Sequence, residues 1–360
     1  MHRAEGRNVA RASNSRVSKI ADLEGQRYVL FMELSTQTIM TRGRRVEVPC
    51  LRGDRATLIS SGRWLRVASI FDEEWLPEEA IGNPEQLLAI LQESPLKADL
   101  FTFSQGVTDP TPWFDYATEW DNSAVVAVSS FKDWWESLPQ ESRKNVRRGE
   151  KRGVVARTSP FDDALVSGIK QIYDETPVRQ GRAFWHYGKS LDEVKRANAS
   201  YLERSEFVTA YLGDELIGFI KMVFVGKVAR IMQILSKNAH ADKRPPNILL
   251  TKAVEVCAQR GMTHFVYGQY TYGNKGHTPI TEFKRRNGFV EIRTPRYYVP
   301  LTLKGRLALA LNLHRGVKNL VPGRVTHALL DLRAKFYARR DRSASASSEE
   351  AQGDRQGQHA

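Results

Sequence analysis

One stretch of this chain, residues 207–301, sets out an order of elements that few folds accept. Residues 207–212, 216–225 and 228–235 are apolar-rich runs parted by Gly213-Asp214 and Gly226-Lys227. Short Gly-containing turns between such runs predict an antiparallel meander of three strands. A Pro-containing loop, 236–246, leads to Asn247, whose side chain is of a type that accepts from the free N–H groups of a first helical turn. Residues 248–260 then place Leu249, Ala253 and Val256 on one helical face, with Gly261 at the C-terminal end. A strand at 264–267, a Gly/Tyr-rich loop, a short helix at 280–286 and closing strands at 288–293 and 296–301 complete the order. The expectation is an α/β (α+β) chain whose sheets are mixed, mostly antiparallel and flanked by helices.

The 360 residues allow two domains. Residues 28–70 alternate apolar and polar positions as strands do. Asn83-Pro84 opens a helix that repeats Leu87, Leu88 and Leu91 and that Pro95 stops. Strands are predicted at 100–103 and 123–128, a loop at 109–113, and a short helix at 131–138 with Trp134 and Trp135 as core anchors. A strand at 154–157, a helix at 161–173, a loop at 176–189 and a helix at 191–203 follow. Residues 1–27 are expected to be a disordered leader and 341–360 a disordered tail. Two cysteines, Cys50 and Cys257, cannot build a disulfide framework or a multi-Cys zinc site, so a reducing compartment, the cytoplasm, is expected and no metal. No run approaches the roughly 20 apolar residues of a membrane span.

The net charge of +13 is local. Residues 143–157 carry +6 and residues 301–340 carry +8, which leaves a nearly neutral body. On a helix from Ser142 to Gly153, Arg143, Arg147 and Lys151 share one side and Lys144, Arg148 and Arg152 the next. With only Glu141 and Glu150 nearby, that helix reads as a polyanion site for phosphates, a nucleic-acid backbone or lipid head groups, with a solvated, salt-bridged helix as the alternative. The second element, 303–340, reads either as basic C-terminal helices packed on the body or as a surface lying on an anionic membrane face.

Strand-turn-strand-turn-strand, loop, helix, strand, loop, short helix, strand resembles the core order of the GNAT acyltransferases. The segments 246–250 (PNILL) and 261–268 (GMTHFVYG), Phe283-Lys284 with Asn287-Gly288-Phe289, and the basic helix ending at 150–153 (EKRG) are similar to the FemAB-like branch, which includes peptidoglycan-bridge and BioF2-like enzymes. The resemblance implies tandem GNAT-like lobes, here a degenerate one at 28–130 and an acyltransferase lobe at 131–302. It implies an N-acyltransferase that makes an amide by direct transfer from an acyl-CoA. In peptidoglycan-bridge members the donor is aminoacyl-tRNA, which is the alternative here. The acceptor would be an amine on a small molecule, a nucleotide sugar or a cell-envelope glycan precursor, with the reaction in the cytoplasm and peripheral contact with the inner membrane face. A non-catalytic scaffold binding nucleic acid or anionic lipid is a further alternative. Ordinary acetyl-CoA members carry Gly in the pyrophosphate loop, whereas 236–247 here (SKNAHADKRPPN) has none, so the close backbone approach that Gly permits is missing. Lys243, Arg244 and the helix start at Asn247 are the remaining donor-binding candidates.

Amide formation needs a neutral amine, a stabilised oxyanion and a donor held in line. No GxSxG nucleophile motif is present, so direct transfer without a covalent enzyme is the simpler scheme. The resemblance places Lys284 in the acyl-transfer site beside Phe283. Tyr267 and Tyr270, with Tyr272 on the same loop, are candidates for protonating the leaving group. Arg179, Arg182, Trp185, His186 and Tyr187 form a dense polar and aromatic loop of ligand-binding character. His186 is the candidate base, with Asp174 and Glu175 as alternatives.

Overall fold

The computed structural model describes residues 16–23, 26–41, 44–77, 83–179, 181–272 and 278–315. Two compact units divide the chain, Met1–Ile172 with Lys189–Leu311, and Tyr173–Gly188 with Asn312–Ala360.

The first half supplies β1 (Arg16–Leu23), β2 (Gln26–Thr41), β3 (Arg44–Gly53), β4 (Thr57–Ser61), β5 (Val67–Ile70), helix α1 (Pro84–Glu93), β6 (Leu100–Ser104) and β7 (Ala117–Ala127). Next come α2 (Phe131–Ser137), α3 (Gln140–Lys151), β8 (Val154–Ser159) and α4 (Asp163–Tyr173). The second unit holds a ribbon of β9 (Val178–Arg179) and β10 (Arg182–Ala183). Back in the first unit stand α5 (Leu191–Asn198), β11 (Ser205–Leu212), β12 (Glu215–Val225), β13 (Val228–Ser236), α6 (Pro245–Gln259), β14 (His264–Val266), α7 (Pro279–Arg286), β15 (Val290–Pro300) and α8 (Leu303–Ala310).

Among the described residues thirteen strands form one sheet, in the order β1-β2-β3-β4-β5-β6-β15-β7-β14-β13-β12-β11-β8. Only β5/β6 and β13/β14 pair in parallel. The meander appears as expected, with Gly213 and Gly226 at φ 59° and 57° in its turns, a conformation side chains resist. The two closing strands are instead one, β15, which runs through Pro295; the Pro295 carbonyl accepts from Gln105 N–H at 3.0 Å. The helix expected to run to residue 203 ends at Asn198, and Tyr201 takes a left-handed φ of 55°. β1 and the start of β2 fall inside the segment expected as a leader. Residues 1–15, the tail at 341–360 and the basic stretch at 316–340 lie outside the described residues.

Two apolar clusters flank this sheet. One gathers Leu249, Leu250 and Val254 of α6 against Ile217, Ile220 and Phe265. The other gathers Leu87 and Leu91 of α1 against Leu51, Leu58, Phe101 and Phe103. β15 serves both halves, because it lies between β6 and β7: its Tyr297 belongs to the second cluster, and Phe289 just before it belongs to the first.

Candidate active site

The site begins where two parallel strands part. β13 pairs with β14 from Val228↔His264 to Arg230↔Val266 and then continues to Ser236. On its other edge Lys221 lies opposite Gln233 and Met222 opposite Ile231, which leaves Met232 as an extra residue. Such a bulge bends a strand and re-aims its side chains. Buried Lys221 fixes the neighbourhood, since its Nζ donates to the Asn198 carbonyl at 2.8 Å and the Ser200 carbonyl at 2.6 Å. Ser200 Oγ lies 3.5 Å from Met232 Sδ.

The helix after β13 starts earlier than its sequence suggests. Arg244, at φ 56°, is the N-cap of α6, with Pro245 and Pro246 in the first turn. Proline suits that position because its φ is already helical and it has no N–H to leave unsatisfied. Asn247 is therefore not the cap. Its buried side chain donates from Nδ2 to Asn287 Oδ1 at 3.0 Å, tying α6 to the end of α7. Lys243 Nζ lies 3.3 Å from Asp242, which also accepts from Arg152 at 3.2 Å. Helix α3 crosses here at Gly149, where a Cβ would lie 2.4 Å from both the Lys243 carbonyl oxygen and Ile248 Cδ1. Ser142 Oγ donates to the Arg286 carbonyl at 2.6 Å, so α3 is also fixed to α7. Along this helix Arg143 is half-buried, Arg147 is exposed with its guanidinium 5.9 Å from the Trp135 ring, and Arg148 pairs with Glu141 at 3.0 Å.

Lys284, on α7, is fully buried. Thr278 caps this helix and Pro279 opens it. Lys284 Nζ donates to the Gln269 carbonyl, lies 3.4 Å from Tyr272 Oη, and sits 4.6 Å from the ring centres of both Tyr267 and Tyr272. Loss of water around the ammonium lowers its pKa from 10.5 to about 8. Burial raises the Tyr267 and Tyr272 phenols, so both stay protonated donors at neutral pH. Phe283 and Tyr270 pack partly buried against the core of the second half, and the Tyr270 carbonyl faces Thr281 Oγ1 at 3.5 Å.

Beside the loop that carries Gln269 opens a cavity of about 550 Å³. Gly268 and Gln269 line it, and Gln269 is also the residue whose carbonyl accepts from Lys284; Lys284, Tyr267 and Tyr272 are not themselves among its lining residues. Both halves of the chain contribute: Glu73, Glu74 and Asp121 from the first, Arg230 and Arg296 from the second. Arg296 donates from Nε to Asp121 Oδ2 at 2.7 Å and from Nη2 to Glu73 Oε2 at 3.3 Å, while Ser104 N–H donates to Glu73 Oε1 at 2.6 Å. Burial raises the Glu73 pKa, with Arg296 opposing, and raises the Glu74 pKa, with Arg230 opposing. None of these five was a sequence candidate. Asp121 and Arg296 meet only because β7 and β15 pair at that level, and no local pattern announces it.

The loop of special residues lies in the second unit. There the His186 ring packs 4.2 Å from Tyr173, 3.7 Å from Trp185 and 5.2 Å from Phe184, centre to centre. Arg179 pairs with Glu175 at 3.0 Å and covers Phe184 at 4.7 Å. Asp174 accepts from Gly188 N–H at 3.0 Å. Arg182 and Tyr187 are exposed. Packing among rings and pairing within the loop thus occupy His186, Asp174 and Glu175.

Residues 138–285 match the model of the acetyltransferase (GNAT) domain family. A crystal structure of FemX resembles the chain with a TM-score of 0.51 at 12% identity, covering 76% of this chain and 90% of that one. The C-terminal domain of a putative lysylphosphatidylglycerol synthetase from Agrobacterium fabrum aligns with a TM-score of 0.45 at 13% identity over 77% of this chain and 89% of that one. L-PGS from Bacillus licheniformis aligns with a TM-score of 0.45 at 14% identity over 72% and 85%. No curated protein sequence matches.

Proposed function

We propose, from the premise that residues 138–285 form a GNAT acetyltransferase domain within a FemX-like fold, that this chain is an N-acyltransferase with its reaction centre at Lys284. The observation that carries the reading is the buried Lys284 ammonium, held by the carbonyl of Gln269, a residue that also lines a cavity built by both halves of the chain. With a pKa of about 8, Lys284 is largely cationic at pH 7. A fixed cation in a site poor in water stabilises the oxyanion of an attacked acyl carbonyl far better than the same cation in bulk solvent. Tyr272, still protonated and 3.4 Å from Lys284 Nζ, protonates the leaving oxygen or sulfur in this reading. Glu74, raised in pKa on the cavity wall, takes one proton from the acceptor ammonium and so frees the neutral amine that attacks; the second proton, lost from nitrogen as the amide forms, balances the one Tyr272 gives the leaving group. The C–N bond forms as the acyl C–O or C–S bond breaks, and no covalent enzyme intermediate is needed.

Two donors fit this chemistry, and two observations separate them. A CoA pyrophosphate is held by backbone N–H groups at the start of a helix like α6. Here Pro245 and Pro246 offer none, and α3 lies directly against that helix start at Gly149. The exposed cations of α3, Lys144, Arg147 and Arg148, instead favour a longer polyanion such as the RNA of an aminoacyl-tRNA over an acyl-CoA. The acceptor is an amine on a charged precursor of cell-envelope or nucleotide-sugar type, and the reaction runs in the cytoplasm, where both donor classes are made. The test is transfer from labelled aminoacyl-tRNA, with and without prior RNase treatment, beside transfer from labelled acetyl-CoA. Transfer abolished by RNase is expected. Transfer from acetyl-CoA that survives RNase would overturn the donor assignment, and absence of both would overturn the enzyme.

A further inference from the structure

Helix α8 is mounted with its faces reversed. A helix on a water-facing surface normally turns its large apolar residues inward. Here the buried residues are Gly305 and Ala308, while Leu303, Leu307 and Leu311, one turn apart, are 81%, 60% and 55% exposed. The mounting is tight. A Cβ on Gly305 would lie 2.0 Å from the Asp99 carbonyl oxygen, so only glycine fits there. Asp99 accepts from Leu301 N–H at 2.9 Å, Thr302 Oγ1 at 3.1 Å and Lys304 Nζ at 3.1 Å. Lys304 also donates to the Trp64 carbonyl and sits 5.2 Å from the centre of the Trp64 ring, which is 62% exposed. The leucines cannot roll inward without breaking these contacts.

We propose that the outer face of α8 together with the Trp64 turn is a docking surface for an anionic phospholipid bilayer. Leucine and tryptophan side chains side by side are what enters the boundary between head groups and acyl chains. Around them stand Arg63, Arg66, Lys304 and Arg306, all exposed; the largely buried Asp99 pairs with Lys304, and neither 61–66 nor 301–311 contains a carboxylate. A cationic surface of this kind is drawn to anionic lipid and stays soluble beside neutral lipid. A second copy of the chain would meet like charge across the contact. The four apolar side chains also offer on the order of 500 Å², short of the roughly 800 Å² per partner of a stable protein interface. Among the described residues no helix is long and apolar enough to cross a membrane, so the surface lies on the bilayer.

The test is cosedimentation of the full chain with vesicles of phosphatidylcholine containing phosphatidylglycerol, and of phosphatidylcholine alone. Binding to the anionic vesicles is expected, with release in high salt. The Leu303→Glu/Leu307→Glu double variant should lose about tenfold or more in partitioning, and Arg306→Glu about fivefold or more. Both change exposed side chains, so unchanged thermal unfolding shows that the fold is kept. The milder Leu307→Ser covers the case in which it is not. Equal partitioning of wild type and variants, or no binding to anionic vesicles, overturns the proposal. So does a wild-type dimer that the leucine variants convert to monomer without any vesicle binding. None of these outcomes depends on acyl transfer, so the surface and the reaction stand or fall separately.

Discussion

Replacing Lys284 by methionine separates a reaction role from a structural one, because the two predict opposite signs for stability. The side chain is fully buried, and its pKa falls from 10.5 to about 8. A fall of that size corresponds to on the order of 3 kcal/mol by which burial disfavours the charged form at neutral pH. Methionine removes that penalty at nearly the same volume. It also leaves the Gln269 carbonyl without its Nζ donor, which costs roughly 1–3 kcal/mol. Lys284→Met should therefore be as stable as wild type at pH 7, or slightly more so, in urea unfolding. The pH dependence follows from the direction of the shift. Between the folded value near 8 and the unfolded value near 10.5 the unfolded chain holds the extra proton, so wild type gains stability relative to the variant as pH rises through that window. Single-turnover transfer should meanwhile fall about 10²- to 10³-fold, the usual loss for one oxyanion donor. Wild-type transfer should also decline as pH rises through about 8 and the ammonium gives up its proton. A variant destabilised by several kcal/mol at pH 7 while retaining transfer would refute the assignment and leave Lys284 a structural residue.

Arg296→Met strips the partner from Glu73 and Asp121 together and should cost about 3–5 kcal/mol in urea unfolding, part of it regained when Glu73→Gln is added. Gly149→Ala sets a methyl group against the Lys243 carbonyl and Ile248, and should cost about 1–3 kcal/mol by the same measurement. Glu74→Gln should slow transfer about 10²-fold or more and flatten the acid limb of the rate profile, with little change in unfolding.

Much of residues 131–302 was legible in the sequence because its signals are local. The turns at Gly213 and Gly226 delimit strands, and the repeat of α6 falls at helical spacing. The pair Phe283-Lys284 could be placed on a helix from its neighbours alone. Long-range pairing was not legible. The cavity needs Glu73, Asp121, Arg230 and Arg296, which lie far apart in sequence and meet through strand order. Asn247 misled because capping preference is a statement about one residue, whereas Pro245 and Pro246 ahead of it had already begun the helix. The bulge at Met232 has no sequence mark either, since Met232 continues the apolar run of β13.

The strand order also bears on whether residues 28–130 and 131–302 fold separately. Sequence suggests two lobes, each completing its own sheet. In the fold β6 and β7, both from the first lobe, do not pair with each other. β15 lies between them, pairing with β7 from Val290↔Val125 to Tyr298↔Ala117 and with β6 from Arg296↔Ser104 to Pro300↔Leu100. The other edge of β7 pairs with β14, again from the second lobe. Tyr297 fixes the junction, since its ring packs 5.0 Å from Phe103 and 5.3 Å from Phe114. Its hydroxyl donates to Gln105 Oε1 at 2.8 Å and accepts from Trp113 N–H at 2.9 Å. Residues 28–130 alone would lack this tyrosine, a loss comparable to truncating a buried aromatic, about 3–5 kcal/mol, and β7 would keep no partner on either edge. That fragment should not unfold cooperatively. In the full chain, tryptophan fluorescence and far-ultraviolet circular dichroism should trace one coincident urea transition for the sheet. Two separated transitions, or a 28–130 fragment with its own sigmoidal unfolding, would mean that β15 only bridges two self-sufficient lobes and that the cavity between β7 and β13 can open without either lobe unfolding.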